Sequence, residues 1–162
     1  MTPKEIAVAT ALLMAAGSPA WAGGAHSAAG EPGNPAEATQ SVTLVARETD
    51  DGRMVYEPSE IVVEKGATVH LVIDNHGAAE HELFLGTAEE VEEHAVQMAK
   101  FPEMEHAEPN VVRVDPGSQD GIYWQFTEAG TYTVACLMPG HMELGMVAEV
   151  SVVDPARADA GS

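Results

Sequence analysis

The sequence from Ala135 to Met146 reads ACLMPGHMELGM and holds a cysteine, a histidine and a methionine at regular intervals. Four residues separate Cys136 from His141, and four more separate His141 from Met146. Type 1 copper is bound by a thiolate and two imidazoles in a trigonal plane, with a weak axial thioether, and these donors suit both Cu(I) and Cu(II). The stretch therefore predicts three of the four ligands of a type 1 copper site.

Strand periodicity makes this ligand set geometrically plausible. Cys136 shares one face of a predicted strand with Tyr132 and Val134, and so points into the core where that strand ends. Met146 starts the next predicted strand, 146–153, and also points inward. The loop between them contains a Pro-Gly pair that permits a tight return before the histidine.

A fourth ligand has to come from elsewhere, and residues 75–85, NHGAAEHELFL, offer two histidines. His81 alternates with Leu83 and Leu85, which places it on the apolar face of a predicted strand. His76 lies in the turn before that strand, where a solvated side chain is the simpler interpretation. We therefore favour His81 over His76.

Core packing or a different metal would account for these residues less well than copper does. Single Cys, His and Met side chains near strands often only fill a core, but here they accompany a β-rich chain, an N-terminal segment (residues 1–22) typical of a signal peptide, and an inward-facing histidine. Zinc is disfavoured because thioether is not among its usual ligands. Cys136 is the only cysteine, which excludes an intramolecular disulfide and a binuclear copper centre with two bridging thiolates.

A second group of possible ligands comprises His94, Met98, Met104 and His106. His94 and Met98 are four apart on a predicted helix and so share a face, and the other two follow in one loop. Methionine and histidine together suit copper, so a second copper ion is possible here. The alternative is that Met98 packs in the core and the histidines are surface groups.

Short β-type runs recur along the chain and predict an all-β sandwich or barrel of antiparallel strands. One segment differs, because Thr87 and Glu90 form a capping box at the start of a run of helix-forming residues. We expect one α-helix, Thr87 to Lys100, inserted between strands. The predicted strands are Ser41–Glu48, Met54–Glu64, Ala67–Asp74, Glu80–Leu85, Val111–Val114, Gly121–Phe126, Gly130–Cys136 and Met146–Val153.

The two ends of the chain are expected to lie outside this domain. Residues 1–22 combine a short apolar run with an Ala-Trp-Ala site, as in a signal peptide, and the run is well short of the roughly 20 residues that span a bilayer. Residues 23–40 are rich in Gly, Ala and Pro and predict a flexible leader. The domain is predicted over 41–153, with a frayed tail over 154–162. We therefore expect an exported protein, periplasmic or extracellular, without a membrane span after signal removal.

The formal net charge is −19, and removing residues 1–22 leaves it unchanged because Lys4 and Glu5 leave together. This negative net charge disfavours nucleic acid or an anionic membrane as a partner, because like charges repel. It favours a basic redox partner or a copper-transport protein, although acidity also serves simple solubility. We expect a monomer.

These motifs together resemble the cupredoxins, the blue copper family that includes plastocyanin, azurin and rusticyanin. The resemblance covers Ser41 to Val153 and rests on Asn75-x-Gly77 before His81 and on the Cys-x4-His-x4-Met spacing, which is similar to that of rusticyanin. It implies a Greek-key β-sandwich with copper at one end and an electron-transfer role. It also implies docking at the exposed edge of the histidine in the ligand loop.

The sequence thus predicts a one-electron carrier that is not an enzyme. The alternative is a copper-handling protein, for tolerance, storage or delivery, that uses the additional Met/His residues. An enzyme with Cys136 as nucleophile and His141 as base is disfavoured, since no third group orients the base and Met146 has no role in such a mechanism.

Overall fold

The computed structural model describes residues 27–102 and 107–158. Within them the chain forms two five-stranded sheets that pack face to face, so the predicted Greek-key β-sandwich with an inserted helix is confirmed. The strands are β1 (Glu31–Pro32), β2 (Ala38–Glu48), β3 (Met54–Glu57), β4 (Glu60–Glu64), β5 (Thr68–Asn75), β6 (His81–Gly86), β7 (Val111–Val114), β8 (Gln119–Gln125), β9 (Gly130–Ala135) and β10 (Val147–Val153).

The first sheet has the order β1-β8-β5-β2-β3, and the second has the order β4-β10-β9-β6-β7. Most neighbours are antiparallel, as expected, but β2 pairs with β5 and β4 pairs with β10 in parallel. Parallel neighbours are joined by long connections, so this part of the topology is not visible in local patterns.

Alternating side chains build the core between the sheets. Leu44, Leu71 and Ile73 come from the first sheet, and Val134 and Val150 come from the second, all fully buried. The opposite faces of most strands are polar or half-exposed, which is the period-2 pattern expected where one face of a sheet is solvated. The two faces therefore identify which residues can point toward an interior site.

Strand β6 differs because all six of its residues are buried. The helix α1 (Ala88–Lys100) covers its outer face, where Phe84 packs with Val91 and Met98. The predicted capping box is present, with Thr87 Oγ1 accepting from the Glu90 N–H and the Glu90 carboxylate accepting from the Thr87 N–H. The insertion therefore makes β6 a central, doubly covered strand.

Residues 27–40 do not form the flexible leader that their composition predicts. Ala29 is fully buried and its carbonyl accepts a hydrogen bond from the Trp124 indole N–H at 3.2 Å. Gly30 has φ of +135°, and a Cβ there would lie 2.0 Å from the carbonyl oxygen of Gln125, so only glycine allows this approach. Strand β1 then pairs with β8, and β2 begins three residues before the predicted domain start at Ser41.

The N-terminal segment, residues 27–40, also forms hydrogen bonds with α1. Ser27 Oγ donates to one carboxylate oxygen of Glu90 at 2.8 Å, and the Ala28 N–H donates to the other at 2.9 Å. The Glu90 carboxylate therefore caps the N-terminus of α1 and also binds Ser27 and Ala28 of the N-terminal segment.

Most strand limits fall within two residues of the predicted ones, but two further assignments differ more. The predicted strand 54–64 is divided between β3 in one sheet and β4 in the other, with Pro58 between them. Pro155–Ala158 form a short helix, α2, where a frayed tail was expected. The predicted signal peptide, residues 1–22, lies outside the described residues. Among the described helices, none has the length and apolar character needed to cross a bilayer.

Candidate metal centre

One group of side chains that could hold a metal ion gathers within residues 27–102 and 107–158, and it consists of His81, Cys136 and His141. Their ligand atoms all lie within 4.8 Å of one another. His81 is the first residue of β6, Cys136 follows the end of β9, and His141 lies in the loop that leads to β10. Two strands of one sheet and a single loop therefore bring the three together.

The distances suit a shared ion. The Nδ1 atoms of His81 and His141 are 3.3 Å apart, and Cys136 Sγ is 3.3 Å from His141 Nδ1. Nitrogen and sulfur ligands at about 2.0–2.3 Å from one ion lie roughly 3.5–3.8 Å apart in a trigonal plane. Two imidazoles and a thiolate at this spacing fit copper, which takes these donors. The observed separations are a few tenths of an ångström shorter than this spacing, so only a small movement of the side chains would admit the predicted ion.

Met146, the fourth predicted ligand, is fully buried next to the group. Its N–H donates to the carbonyl of His141 at 3.1 Å, and its own carbonyl accepts from the Cys136 N–H at 3.1 Å. These bonds fold the loop back on itself, so Cys136 and His141 both have Met146 as a backbone partner. Its assignment as the axial ligand stays a prediction.

His76, the alternative to His81, lies apart from this group. Its side chain is 57% exposed, and Nε2 lies 3.1 Å from Asp74 Oδ2. It therefore occupies the solvated turn position that the sequence suggested.

The surroundings of the cysteine control its protonation. The N–H of Glu82 points at Cys136 Sγ across 3.3 Å, and the Tyr56 hydroxyl donates to the carbonyl of the same Glu82. Burial raises the pKa of Cys136 to about 12, although hydrogen bonds from the Glu82 and Met138 N–H groups and from Tyr56 act in the opposite direction. Without a metal the cysteine is therefore a neutral thiol.

The two histidines are held neutral as well. Burial lowers the pKa of His81, and the nearby His141 lowers it further, while Glu48 acts in the opposite direction. Burial also lowers the pKa of His141, against the charges of Glu48 and Glu143. Neutral imidazole is the form that binds a metal.

Loading the metal-free protein with Cu(II) at pH 7 is expected to release about one proton, because the thiol must ionise while both rings are already neutral. As the pH falls through the lowered pKa values of His81 and His141, both rings gain protons that the metal must also displace. Proton release then rises and the apparent affinity falls. Calorimetry in buffers of different ionisation enthalpy measures this, and no release at pH 7 would show that Cys136 is already ionised.

The second group of predicted ligands is only partly described. Met104 and His106 lie outside the described residues. Met98 is fully buried against Phe84 and Leu137, and its sulfur lies 3.8 Å from Arg113 Nη2. His94 stacks on Phe84 with ring centroids 4.5 Å apart. The packing of Met98 agrees with the core alternative, and a second copper site stays a prediction.

Three neighbours of the site were not predicted from the sequence, namely Glu48, Tyr56 and Glu82. Glu48 ends β2 and lies 3.7 Å from His81 Nε2. Tyr56 is buried in β3, and Glu82 follows His81 in β6. Only Glu82 left a signal, because it is a charged residue inside the apolar run HELFL.

Comparison with proteins of known sequence shows similarity to copper-resistance proteins. The chain is 45% identical to the copper-resistant cuproprotein CopI of Rubrivivax gelatinosus over 123 residues, covering 76% of this chain and 72% of the relative. It is 30% identical to the protein of the same name from Pseudomonas aeruginosa over an alignment of 184 residues, covering 94% of this chain and 99% of the relative.

Solved structures share the fold. Reduced auracyanin from Roseiflexus castenholzii superposes with a TM-score of 0.59 at 20% identity, covering 72% of this chain and 98% of auracyanin. Auracyanin B superposes with a TM-score of 0.62 at 17% identity, covering 76% and 96%. The family model of copper-binding proteins, plastocyanin/azurin family, matches residues 43–153, which include His81, Cys136, His141 and Met146. The chain therefore belongs to the plastocyanin/azurin family of copper-binding proteins.

Proposed function

We propose that this chain is an exported type 1 copper protein that acts in copper tolerance, with copper held by His81, Cys136, His141 and Met146. The observation that carries the proposal is the convergence of two Nδ1 atoms and the only cysteine sulfur within 4.8 Å. Tolerance as the role rests on the similarity to the two relatives named copper-resistant cuproproteins.

The bound copper would supply a one-electron couple between Cu(I) and Cu(II). The protein's part is to hold the donors. The doubly covered β6 places His81, and the backbone bonds of Met146 close the loop around the other two ligands. The N–H of Glu82 holds the sulfur in place.

His141 gives this site its contact with the outside. It is half-buried, whereas His81 and Cys136 are fully buried. Pro139 and Gly140 beside it are exposed, and Met138 and Met142 are half-buried. Electrons or copper would therefore pass at this edge.

The test of the proposed role is complementation. A copper-sensitive bacterial strain that lacks its own relative of this protein should regain growth on copper when it expresses the full chain, and the variant Cys136→Ser should not restore it. His76→Ala is the matched control and should restore growth, since His76 lies outside the ligand group. Equal growth with wild type and Cys136→Ser at equal abundance would reject a role for the copper site in tolerance.

A second candidate function is electron transfer without copper handling, and the half-buried His141 beside buried ligands favours it. The two functions differ in what leaves the protein. A carrier exchanges electrons with a redox partner while retaining its copper, whereas a copper-handling protein gives copper to an acceptor. To distinguish them, Cu(I)-loaded protein is mixed with a chelator in one experiment and with an oxidant in another, and metal content and colour are followed separately. Copper that leaves with the chelator indicates copper handling, whereas copper that stays and gains colour with the oxidant indicates electron transfer.

The additional Met/His residues belong to the copper-handling alternative. If they bind copper, the wild-type chain retains more than one equivalent after desalting. The variant with His94, Met98, Met104 and His106 all replaced by alanine then retains only the coloured one. A wild-type protein with a single equivalent would assign these residues to packing and to the surface.

A further inference from the structure

The Glu48 carboxylate lies beside His81, near the ring nitrogen that faces away from His141. Glu48, the last residue of β2, accepts hydrogen bonds from the Ala78 N–H at 2.9 Å and the Ala79 N–H at 3.0 Å. Its Oε1 lies 3.7 Å from Nε2 of His81. The carboxylate therefore joins the turn before β6 to the ring of the first ligand.

The two ring nitrogens of His81 have different surroundings. Its Nδ1 faces the ligand group, 3.3 Å from Nδ1 of His141. Its Nε2 is buried and has no hydrogen-bond partner among the described residues. A neutral imidazole that binds a metal through Nδ1 carries its proton on Nε2, and that N–H needs an acceptor. Glu48 stands a few tenths of an ångström beyond hydrogen-bonding distance.

Gly77 leaves the space in which these two groups meet. A Cβ at this position would lie 2.5 Å from Glu48 Oε2 and 2.8 Å from His81 Nε2. Any side chain at residue 77 would have to displace the carboxylate or the ring. The turn is fixed around this glycine by Asn75, whose side-chain oxygen accepts the Gly77 N–H at 2.8 Å. The close approach is thus built into the turn.

We propose that Glu48 is a positioning residue of the copper site, which accepts the Nε2–H of His81, fixes the Nδ1 tautomer for the metal and favours Cu(II) over Cu(I). The inference rests on the proposed copper binding by His81. A carboxylate hydrogen-bonded to a ligand histidine orients the ring and raises its basicity, and removal of such a partner costs roughly 10- to 100-fold in metal affinity. The more highly charged Cu(II) gains more from the anionic partner than Cu(I) does.

The test compares Glu48→Gln with Glu143→Gln. Both residues act on His141 through their charge, but the hydrogen bonds that place a carboxylate behind His81 are those of Glu48. In Glu48→Gln the negative charge is lost and a single amide oxygen replaces the two carboxylate oxygens, so the side chain is no longer able to accept from Ala78, Ala79 and His81 together. Cu(II) affinity, measured by competition with a chelator, should fall about tenfold more than Cu(I) affinity. For a one-electron couple a tenfold change corresponds to a rise in reduction potential of about 59 mV.

A second readout needs no copper. Long-range 15N–1H correlation spectra of the metal-free protein report the tautomer of each histidine. In the wild type, and in Glu143→Gln, His81 should carry its proton on Nε2, and in Glu48→Gln it should become a tautomer mixture. Gly77→Ala retains Glu48, but its Cβ would separate the carboxylate from the His81 ring by displacing one or both, and it should shift the potential in the same direction as Glu48→Gln.

The outcomes separate this inference from the proposed function. If the wild type binds copper with its colour and Glu48→Gln matches it in tautomer, affinity and potential, Glu48 only anchors the turn and the inference is wrong. If Glu143→Gln shifts the potential as much as Glu48→Gln, net charge explains the effect and the inference is again wrong. A wild type that binds no copper would reject the proposed function itself, whereas the His81 tautomer in the metal-free protein would still test the contact.

Discussion

Replacing Cys136 by serine is expected to abolish the intense thiolate-to-copper absorption band and to leave the β-sandwich folded. Cys136 is fully buried, and its sulfur lies 3.3 Å from His141 Nδ1. A serine hydroxyl is a harder ligand with a much higher pKa, so Cu(I) in particular loses its best donor. The loss of copper affinity should exceed about 100-fold, because outer-shell partners alone account for 10- to 100-fold. Visible absorption and metal analysis measure the loss.

The far-ultraviolet circular dichroism of this variant should match that of the wild type, since the substitution is close in size and the Glu82 N–H keeps an oxygen to bond. His81→Ala should also lose the band, and His76→Ala should keep it. A band that persists without Cys136 would mean that the colour arises elsewhere, and loss of colour in His76→Ala would reverse the choice between the two histidines.

Arg113→Met is expected to lower the free energy of unfolding by about 3 kcal/mol. Glu82 is fully buried in β6, and Arg113 Nε lies 3.1 Å from its Oε2 across the β6–β7 pair. The arginine is 26% exposed, and its Nη2 also donates to the carbonyl of Pro102 at 3.3 Å. Removing the cation leaves a carboxylate in the doubly covered strand, and breaking such a pair costs more than the pair contributes to stability.

Urea unfolding of the metal-free protein measures this effect. Glu82→Gln in the same chain is the matched control, because a neutral amide no longer needs the cation. The double variant Glu82→Gln with Arg113→Met should therefore be more stable than Arg113→Met alone. A loss below about 0.5 kcal/mol for the single variant, the range of ordinary surface substitutions, would show that the strand tolerates the carboxylate without Arg113.

Features that depend on near neighbours in sequence could be predicted. The capping box of Thr87 and Glu90 is a local hydrogen-bond pattern, and it appears where the sequence placed it. The inward face of β6 follows from strand alternation, which led to His81. The spacing of Cys136 and His141 within one loop is likewise local. In each case the prediction depends only on interactions between residues that are close in sequence.

Features that depend on distant pairing could not be predicted. Residues 27–40 look like a linker in composition, yet Ala29 is buried under Trp124, which lies in another strand. The parallel pairing of β2 with β5 has no local signature. Pro58 marks the point where one apparent strand becomes two, but the sequence does not show that the halves belong to different sheets.

The same limit applies around the metal centre. Glu48 meets His81 only because β2 ends beside the turn that precedes β6. Glu82 and Arg113 face each other in the register of β6 with β7, and that register decides which charge each of them contacts. The contacts of these three residues depend on the tertiary structure, which cannot be read from a single sequence.

The placement of Cys136, His141 and Met146 within one short loop has a consequence for the unfolded chain. Because these three residues are close in sequence, they remain close in the unfolded chain, whereas His81 is held near them only by the pairing of β6 with β9. With the proposed ligand set, copper would bind the denatured chain as well, and a ligand stabilises a protein only by its preference for the folded state. Loading therefore raises the thermal midpoint by less than the affinity of the native site implies. With the same proposed ligand set, a newly emerged chain would be able to capture copper with three donors before His81 reaches them.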